Sequence, residues 1–276
     1  MKLIKNSISV VIPIYIGIDT LAFKNSIASL LSQTRQPDEL ILVIDGPIKE
    51  SLWSYIRSTF SSHNFFFSVK LVCCLKNEGP GYARNLAASI SSCEWLAIHD
   101  ADDVYVSSRL EVQEFYLSDD VDVVGAFIEE LHDYDISSRI NIRSVPLNDK
   151  EVKRSMNRYS PVNNATALIR REIFIRVGGY PNLRFGEDYV LWQRIKKAGG
   201  RFLNIPKVIT RILVDKNFFQ RRRGFSLLKR EFKYLNLMLY EGHISIFSYF
   251  YKAIRSVVLR LLPLSVSRVL YRIGRK

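Results

Sequence analysis

Three carboxylates fall within four residues at His99-Asp100-Ala101-Asp102-Asp103, directly after the apolar run Trp95-Leu96-Ala97-Ile98. Crowded carboxylates repel each other unless something positive sits among them. A hard divalent cation, held by oxygens and shared with substrate phosphates, satisfies that need. A solvated turn with an Asp capping a helix near Ser107 uses the same residues, and a D-x-D alone does not separate the two. A second carboxylate, Asp45, stands before Gly46 at the end of Leu40–Ile44. A third group, Glu187-Asp188, opens a stretch whose Leu191, Ile195 and Ala198 keep a helical period. Helix dipole and capping favour carboxylates there without any chemistry. The run Asn77-Glu78-Gly79-Pro80-Gly81-Tyr82-Ala83-Arg84-Asn85 carries glycines just before a helix. Such glycines let backbone approach a ligand, and the first N–H groups favour an anion. They also suit an ordinary turn. Arg84 and Asn85 exceed what a turn requires.

These groups need elements to hold them. Ser9–Tyr15 reads as a first strand, with Pro13 near its end, and a helix over about 19–33 should follow. Leu40–Ile44 is a second buried strand, followed by a helix over about 48–60. Phe66–Leu75 is a third strand and the glycine-bearing helix runs to about Ser91. Trp95–Ile98 is the fourth strand, Ser107–Leu117 a helix and Val121–Ile128 a fifth strand. Alternating strands and helices with short links predict an α/β fold with a doubly wound, mostly parallel sheet. Every candidate ligand group then lies at a strand C-terminus or helix N-terminus, along one sheet edge. Residues 129–164 are polar and irregular, with a hairpin or loop excursion expected over Leu131–Val145. Asn163–Arg170 should return as a strand, and a short helix stops at Gly178-Gly179.

With 47% hydrophobic and 24% charged residues in 276, the chain is globular, not disordered. Adjacent Cys73 and Cys74 point to opposite strand faces, and Cys93 stands alone, so no metal cluster is expected. A sparse, odd set of cysteines and the lack of a signal-like h-region predict a cytoplasmic protein. The net charge of +13 is uneven. Residues 201–276 carry 17 Lys+Arg against 3 Asp+Glu, whereas residues 1–200 carry 23 against 24. Anionic lipid, a phosphorylated substrate and nucleic acid are the candidate partners. No nucleic-acid motif appears, and the charge stands apart from the Asp clusters. Arg221-Arg222-Arg223 suit either a grip on a diphosphate or a solvated helix start. The stretch Ile244–Pro263 is nearly span length, yet Lys252, Arg255 and Arg260 interrupt it. That pattern suits a helix in the membrane interface, or a packed oligomerisation or core helix.

In five places and in order the sequence resembles the family 2 glycosyltransferases. The matches are Val11–Tyr15, Val43-Ile44-Asp45-Gly46, Asn77–Asn85, Asp100-Ala101-Asp102-Asp103 and Gly186–Trp192, covering about residues 8–215. The family usually has a Pro soon after the Asp cluster, where this chain has Ser107-Ser108. The resemblance implies a GT-A (Rossmann-like) fold in residues 1–215, with a nucleotide-sugar half over about 1–128 and an acceptor half over 129–215. Residues 216–276 would be a basic helical extension. It implies inverting transfer of a sugar from a nucleotide-sugar donor, UDP- or GDP-linked, to a glycan or lipid-linked acceptor in cell-surface polysaccharide synthesis.

By the same resemblance, Mn²⁺ or Mg²⁺ would be held by Asp102, with Asp100 reaching the ribose or the metal's water shell. Asp45 would accept hydrogen bonds from the base, and Pro13, Tyr15 and Gly81 would line the nucleotide site. Arg84, with Arg221 and Arg222, would lie near the diphosphate. Asp188 would be the general base, with Glu187 supporting it, and Trp192 a packing or acceptor-platform residue. The basic tail would place the protein peripherally on the inner face of the cytoplasmic membrane; a dimer is compatible with this. Two other readings are a catalytically inactive GT-A fold that binds nucleotide or glycan, and a nucleotidyltransferase. The latter would carry a Gly-rich loop after the first strand, where this chain has Pro13-Ile14-Tyr15.

Overall fold

The computed structural model describes residues 5–61, 65–132, 136–214 and 224–261. Its elements in chain order are β1 (Ile8–Ile14), α1 (Thr20–Leu31), β2 (Glu39–Asp45), α2 (Glu50–Ser61), β3 (Ser68–Cys74), α3 (Pro80–Ile90) and β4 (Trp95–Ile98). Then come β5 (Val104–Tyr105), α4 (Arg109–Glu114), β6 (Val123–Leu131), β7 (Arg139–Arg143), α5 (Asp149–Ser155), β8 (Leu168–Arg170) and α6 (Arg171–Arg176). The chain continues through α7 (Glu187–Lys197), β9 (Phe202–Leu213), α8 (Phe225–Tyr240) and α9 (Ile246–Leu261).

One sheet takes the order β3-β2-β1-β4-β8-β6-β9-β5, with β7 paired to β6. Strands β1 to β4 are parallel, and β6 pairs β9 in parallel. β8 lies antiparallel between β4 and β6. Parallel strands are buried on both faces, which is why β1 and β2 are near-continuous apolar runs with every residue buried. One core layer packs α1, α2 and α4 on the sheet through Phe23, Ile27, Leu52 and Leu110. The other packs α3, α6, α7 and α8 through Ala83, Ala87, Phe174, Trp192 and Leu235. The polar start of β2 is sustained locally: buried Glu39 accepts from the Ser9 and Ser92 hydroxyls and pairs with Lys70 at 2.5 Å.

Several expectations change. Residues 163–167 are not strand: Asn164–Thr166 form a 3-10 turn, and only Leu168–Arg170 pair in the sheet. Asn163 Nδ2 donates to Ala126 O and Thr166 Oγ1 accepts from Ala126 N, so side chains replace the ladder there. The helix expected from Ser107 starts at Arg109, after Ser108, and ends at Glu114. The Asp cluster therefore does not cap it. The expected hairpin is present as β6–β7, whereas α5 was not anticipated. Trp192 is fully buried and packs in the core, which removes it as an acceptor platform. Helix α8 buries Leu228, Tyr234, Leu235 and Met238, so the basic extension begins as part of the body.

Candidate active site

The turn after β4 is set by a buried polar scaffold. Arg109, only 1% exposed, donates to Ile98 O at 2.7 Å and lies 4.2 Å over the Tyr105 ring. Tyr105 stacks on His99, with centroids 3.8 Å apart, and its hydroxyl accepts from Asp100 N at 2.8 Å. Ser26 Oγ reaches His99 Nε2 at 2.8 Å and donates to Asp100 O. Burial and the neighbouring Arg109 hold His99 well below its usual pKa, so the ring is a neutral spacer. Asp103 is buried beside Asp100 and Asp102, and burial first, then those charges, push its pKa well up. This leaves Asp100 and Asp102 facing a cavity of about 300 Å³.

That cavity is walled by Pro13, Tyr15, Asp45, Arg84, Asp100 and Asp102, six of the predicted residues. Asn77, Arg184 and Arg230 complete the polar wall. Asp45 has a job of its own. Its carboxylate accepts from Glu78 N at 2.8 Å, Gly79 N at 2.9 Å and Asn77 Nδ2 at 3.0 Å, closing the loop before α3. Gly46 allows this approach: its φ is +82°, and a Cβ there would stand 2.6 Å from Asn77 N. Gly81 is placed differently from its expected use. A Cβ on Gly81 would meet Pro181 O and Tyr180 at 3.1 Å, so its smallness serves the protein's own packing. Asn85 fastens the same loop, donating to Tyr180 O and accepting from Tyr180 N.

Arg84 is the electrostatic centre. Its side chain is 6% exposed, donates to Asp100 Oδ1 at 2.6 Å and stands 3.6 Å from Glu187. Its Nε and Nη1 are buried and have no hydrogen-bond partner. Nη1 has the Glu187 carboxylate as its ion-pair partner, so the buried charge is held by Asp100 and Glu187 together. Asp100, Glu187 and Asp188 outnumber this one guanidinium. Burial, then the neighbouring Asp188, push Glu187 up to about 7. Burial also raises Asp188, against hydrogen bonds from the first backbone N–H groups of α7.

Asp188 opens onto a second cavity of about 340 Å³, bounded also by Tyr159, Phe185 and Tyr234. Gly186, at φ +70°, lets α7 start against the Tyr234 ring, where a Cβ would stand 2.6 Å away. The two consecutive carboxylates thus relate to different spaces. Glu187 is tied to the Arg84 of the first cavity, and Asp188 lines the second.

Asp100 and Asp102 are hard oxygen donors at the mouth of one cavity, a donor type that fits Mg²⁺ or Mn²⁺. Among the described residues, no set of three or more His, Cys, Asp or Glu could hold a metal ion unaided. A cation there needs oxygens from a ligand. Arg184 and Arg230 escaped the sequence reading, although Arg184 stands two residues before the Gly186 motif. The predicted Arg221 and Arg222 lie outside the described residues.

The sequence model of Glycosyl transferase family 2 matches residues 9–178. The chain is 30% identical over 253 residues to the amylovoran biosynthesis glycosyltransferase AmsE of Erwinia amylovora, covering 90% of this chain and 91% of that one. It is 28% identical over 266 residues to the UDP-Gal:alpha-D-GlcNAc-diphosphoundecaprenol beta-1,3-galactosyltransferase of Escherichia coli, covering 96% and 94%. Among solved structures it is similar in fold to the mannosyltransferase PcManGT from Pyrobaculum calidifontis in complex with GDP-Man and Mn²⁺. That match has a TM-score of 0.63 and 16% identity, covering 94% of this chain and 71% of the other.

Proposed function

The chain is a member of glycosyl transferase family 2 with a GT-A fold, and we propose that it transfers a sugar, with inversion, from a UDP- or GDP-linked donor to a lipid-linked glycan acceptor. The observation that carries the reading is the wall that brings Arg84, Arg184 and Arg230 together with Asp100 and Asp102, Arg84 being a buried cation paired to Asp100. A nucleoside diphosphate brings the negative charge that three guanidiniums in one wall can hold. Pro13, Tyr15 and the Asp45-closed loop form the nucleoside end, and Arg184 and Arg230 add positive charge. Asp102, with Asp100, would hold Mn²⁺ or Mg²⁺ together with the diphosphate; the cation supplies Lewis-acid stabilisation of the leaving group.

Inversion in one displacement needs a base on the face away from the leaving group. Asp188 fits that role because it lines the second cavity, beyond the Arg84–Glu187 pair. Its raised pKa makes it a stronger base than an ordinary carboxylate. Neighbouring carboxylates resist double ionisation, so Glu187 keeps the proton more readily and leaves Asp188 ionised. Arg84 orients Glu187 and thereby the start of α7.

The lipid-linked acceptor is inferred from the galactosyltransferase named above and from α9. Phe247, Phe250, Ile254 and Val258 are exposed along one face of that helix. Among the described residues no helix is long and apolar enough to cross a membrane. An apolar stripe on a chain with a basic C-terminal quarter suits an anionic membrane surface. Release of nucleoside diphosphate from a panel of UDP- and GDP-sugars, with Mn²⁺ or with chelator, tests the reading. Metal-dependent release from at least one donor is expected; none from any donor would remove it.

A further inference from the structure

Helix α9 has two opposed polar and apolar stripes. The apolar stripe is exposed; Lys252, Arg255 and Arg260, spaced by three and five residues, line the second cavity with Ser256 and Asp188, Arg255 at its exposed rim. Arg158 adds a further cation to that wall. The one additional acid there, Glu231, is engaged by Arg260 at 2.9 Å. Among the described residues, neither Lys252 nor Arg255 has a carboxylate partner. Burial and then the adjacent Arg255 lower the Lys252 pKa, the mark of cations crowded without a counter-ion. Such a pair, in a partly enclosed space, is stabilised by an anion that brings a negative charge for each.

We propose that this cavity seats the diphosphate of the acceptor, with Lys252 and Arg255 as its anion-binding pair and Arg158 as a third cation. The assignment rests on the glycosyl-transfer reading and extends it to the substrate's reducing end. Asp188 lines the same cavity, so a sugar held between that carboxylate and the cation row presents its hydroxyl to the base. The diphosphate lies on α9, and the lipid leaves toward the apolar stripe on the helix's outer face. The donor diphosphate keeps its own cations, Arg84, Arg184 and Arg230, in the first cavity.

Calorimetry on the full chain separates these sites, with farnesyl diphosphate as acceptor probe, farnesol as its neutral control and UDP with Mn²⁺ as donor probe. Lys252→Gln combined with Arg255→Gln is expected to weaken farnesyl diphosphate by roughly tenfold or more, leaving UDP affinity unchanged. The charge-keeping pair Lys252→Arg and Arg255→Lys should retain most of the affinity. Farnesyl diphosphate binding that ignores the Gln pair, is matched by farnesol, or is displaced by UDP overturns the assignment. If the wild type binds farnesyl diphosphate but neither UDP nor GDP with Mn²⁺, the donor reading fails instead.

Discussion

Replacing Glu187 with Gln should make the protein more stable above neutral pH. In the folded chain this carboxyl is 17% exposed, and burial and Asp188 hold its pKa near 7 despite Arg84. Unfolded, it returns to about 4.5. An acid with a raised folded pKa keeps, when native, a proton that the unfolded chain releases. Its contribution is complete below about pH 4.5 and is lost as pH rises through about 7. At about 1.4 kcal/mol per pH unit, the ionised site costs on the order of 3 kcal/mol at pH 8 to 9. Gln keeps the volume and carries no charge, so it also relieves Asp188. Thermal melts of the two proteins with chelator and no nucleotide test this. They should nearly coincide at about pH 5 and separate by roughly 6–12 °C at about pH 8 to 9, the variant melting higher. Parallel pH profiles, or a variant less stable at pH 8, would refute the reasoning. The Arg84–Glu187 pair would then outweigh the crowding.

Three further outcomes follow from the geometry. Asp188→Asn should leave UDP binding intact while kcat falls by about 10²–10⁴-fold, the range for a lost general base; steady-state transfer assays read this. Asp45→Ala strips acceptors from Glu78 N, Gly79 N and Asn77. It should therefore lose roughly 2–4 kcal/mol in urea unfolding and raise the donor KM more than it lowers kcat. Deleting 244–276 would uncover α8, since Ala253 and Ser256 are buried and Tyr249 donates to Asn236. The membrane reading is better tested by Phe247→Ser with Phe250→Ser and Ile254→Ser, all on exposed positions. Flotation with anionic liposomes should fall sharply with no change in melting temperature.

The sheet and its ligand edge were readable because buried parallel strands are short apolar runs that end in Asp45 and in the Asp100 turn. Asp19 at the start of α1 was equally plain, accepting from Leu21 N and Ala22 N. The scaffold beneath the Asp cluster was not, since Ser26, His99, Tyr105 and Arg109 look like unrelated residues until the fold brings them together. Arg184 and Arg230 lie far from Asn77 in sequence and enter the same wall only through a loop and α8. The mistaken strand at 163–167 shows apolar patterning overridden by Asn163 and Thr166, whose side chains satisfy the sheet edge directly. Helix α5 did carry a signal, Asn148 accepting from Glu151 N with acids at its start and Lys153-Arg154 at its end. Its single fully buried residue, Val152, left no apolar period to detect.

The central claim is that Asp102 and Arg84 bound a site for a nucleoside diphosphate and a divalent cation. Calorimetry with UDP and with GDP, each with Mn²⁺ or chelator, on the wild type and Asp102→Asn measures it directly. One of the two nucleotides is predicted to bind the wild type with a clear dependence on Mn²⁺. Asp102→Asn should lose that dependence while melting as the wild type does. Equal affinity with chelator, unchanged by Asp102→Asn, would contradict the account.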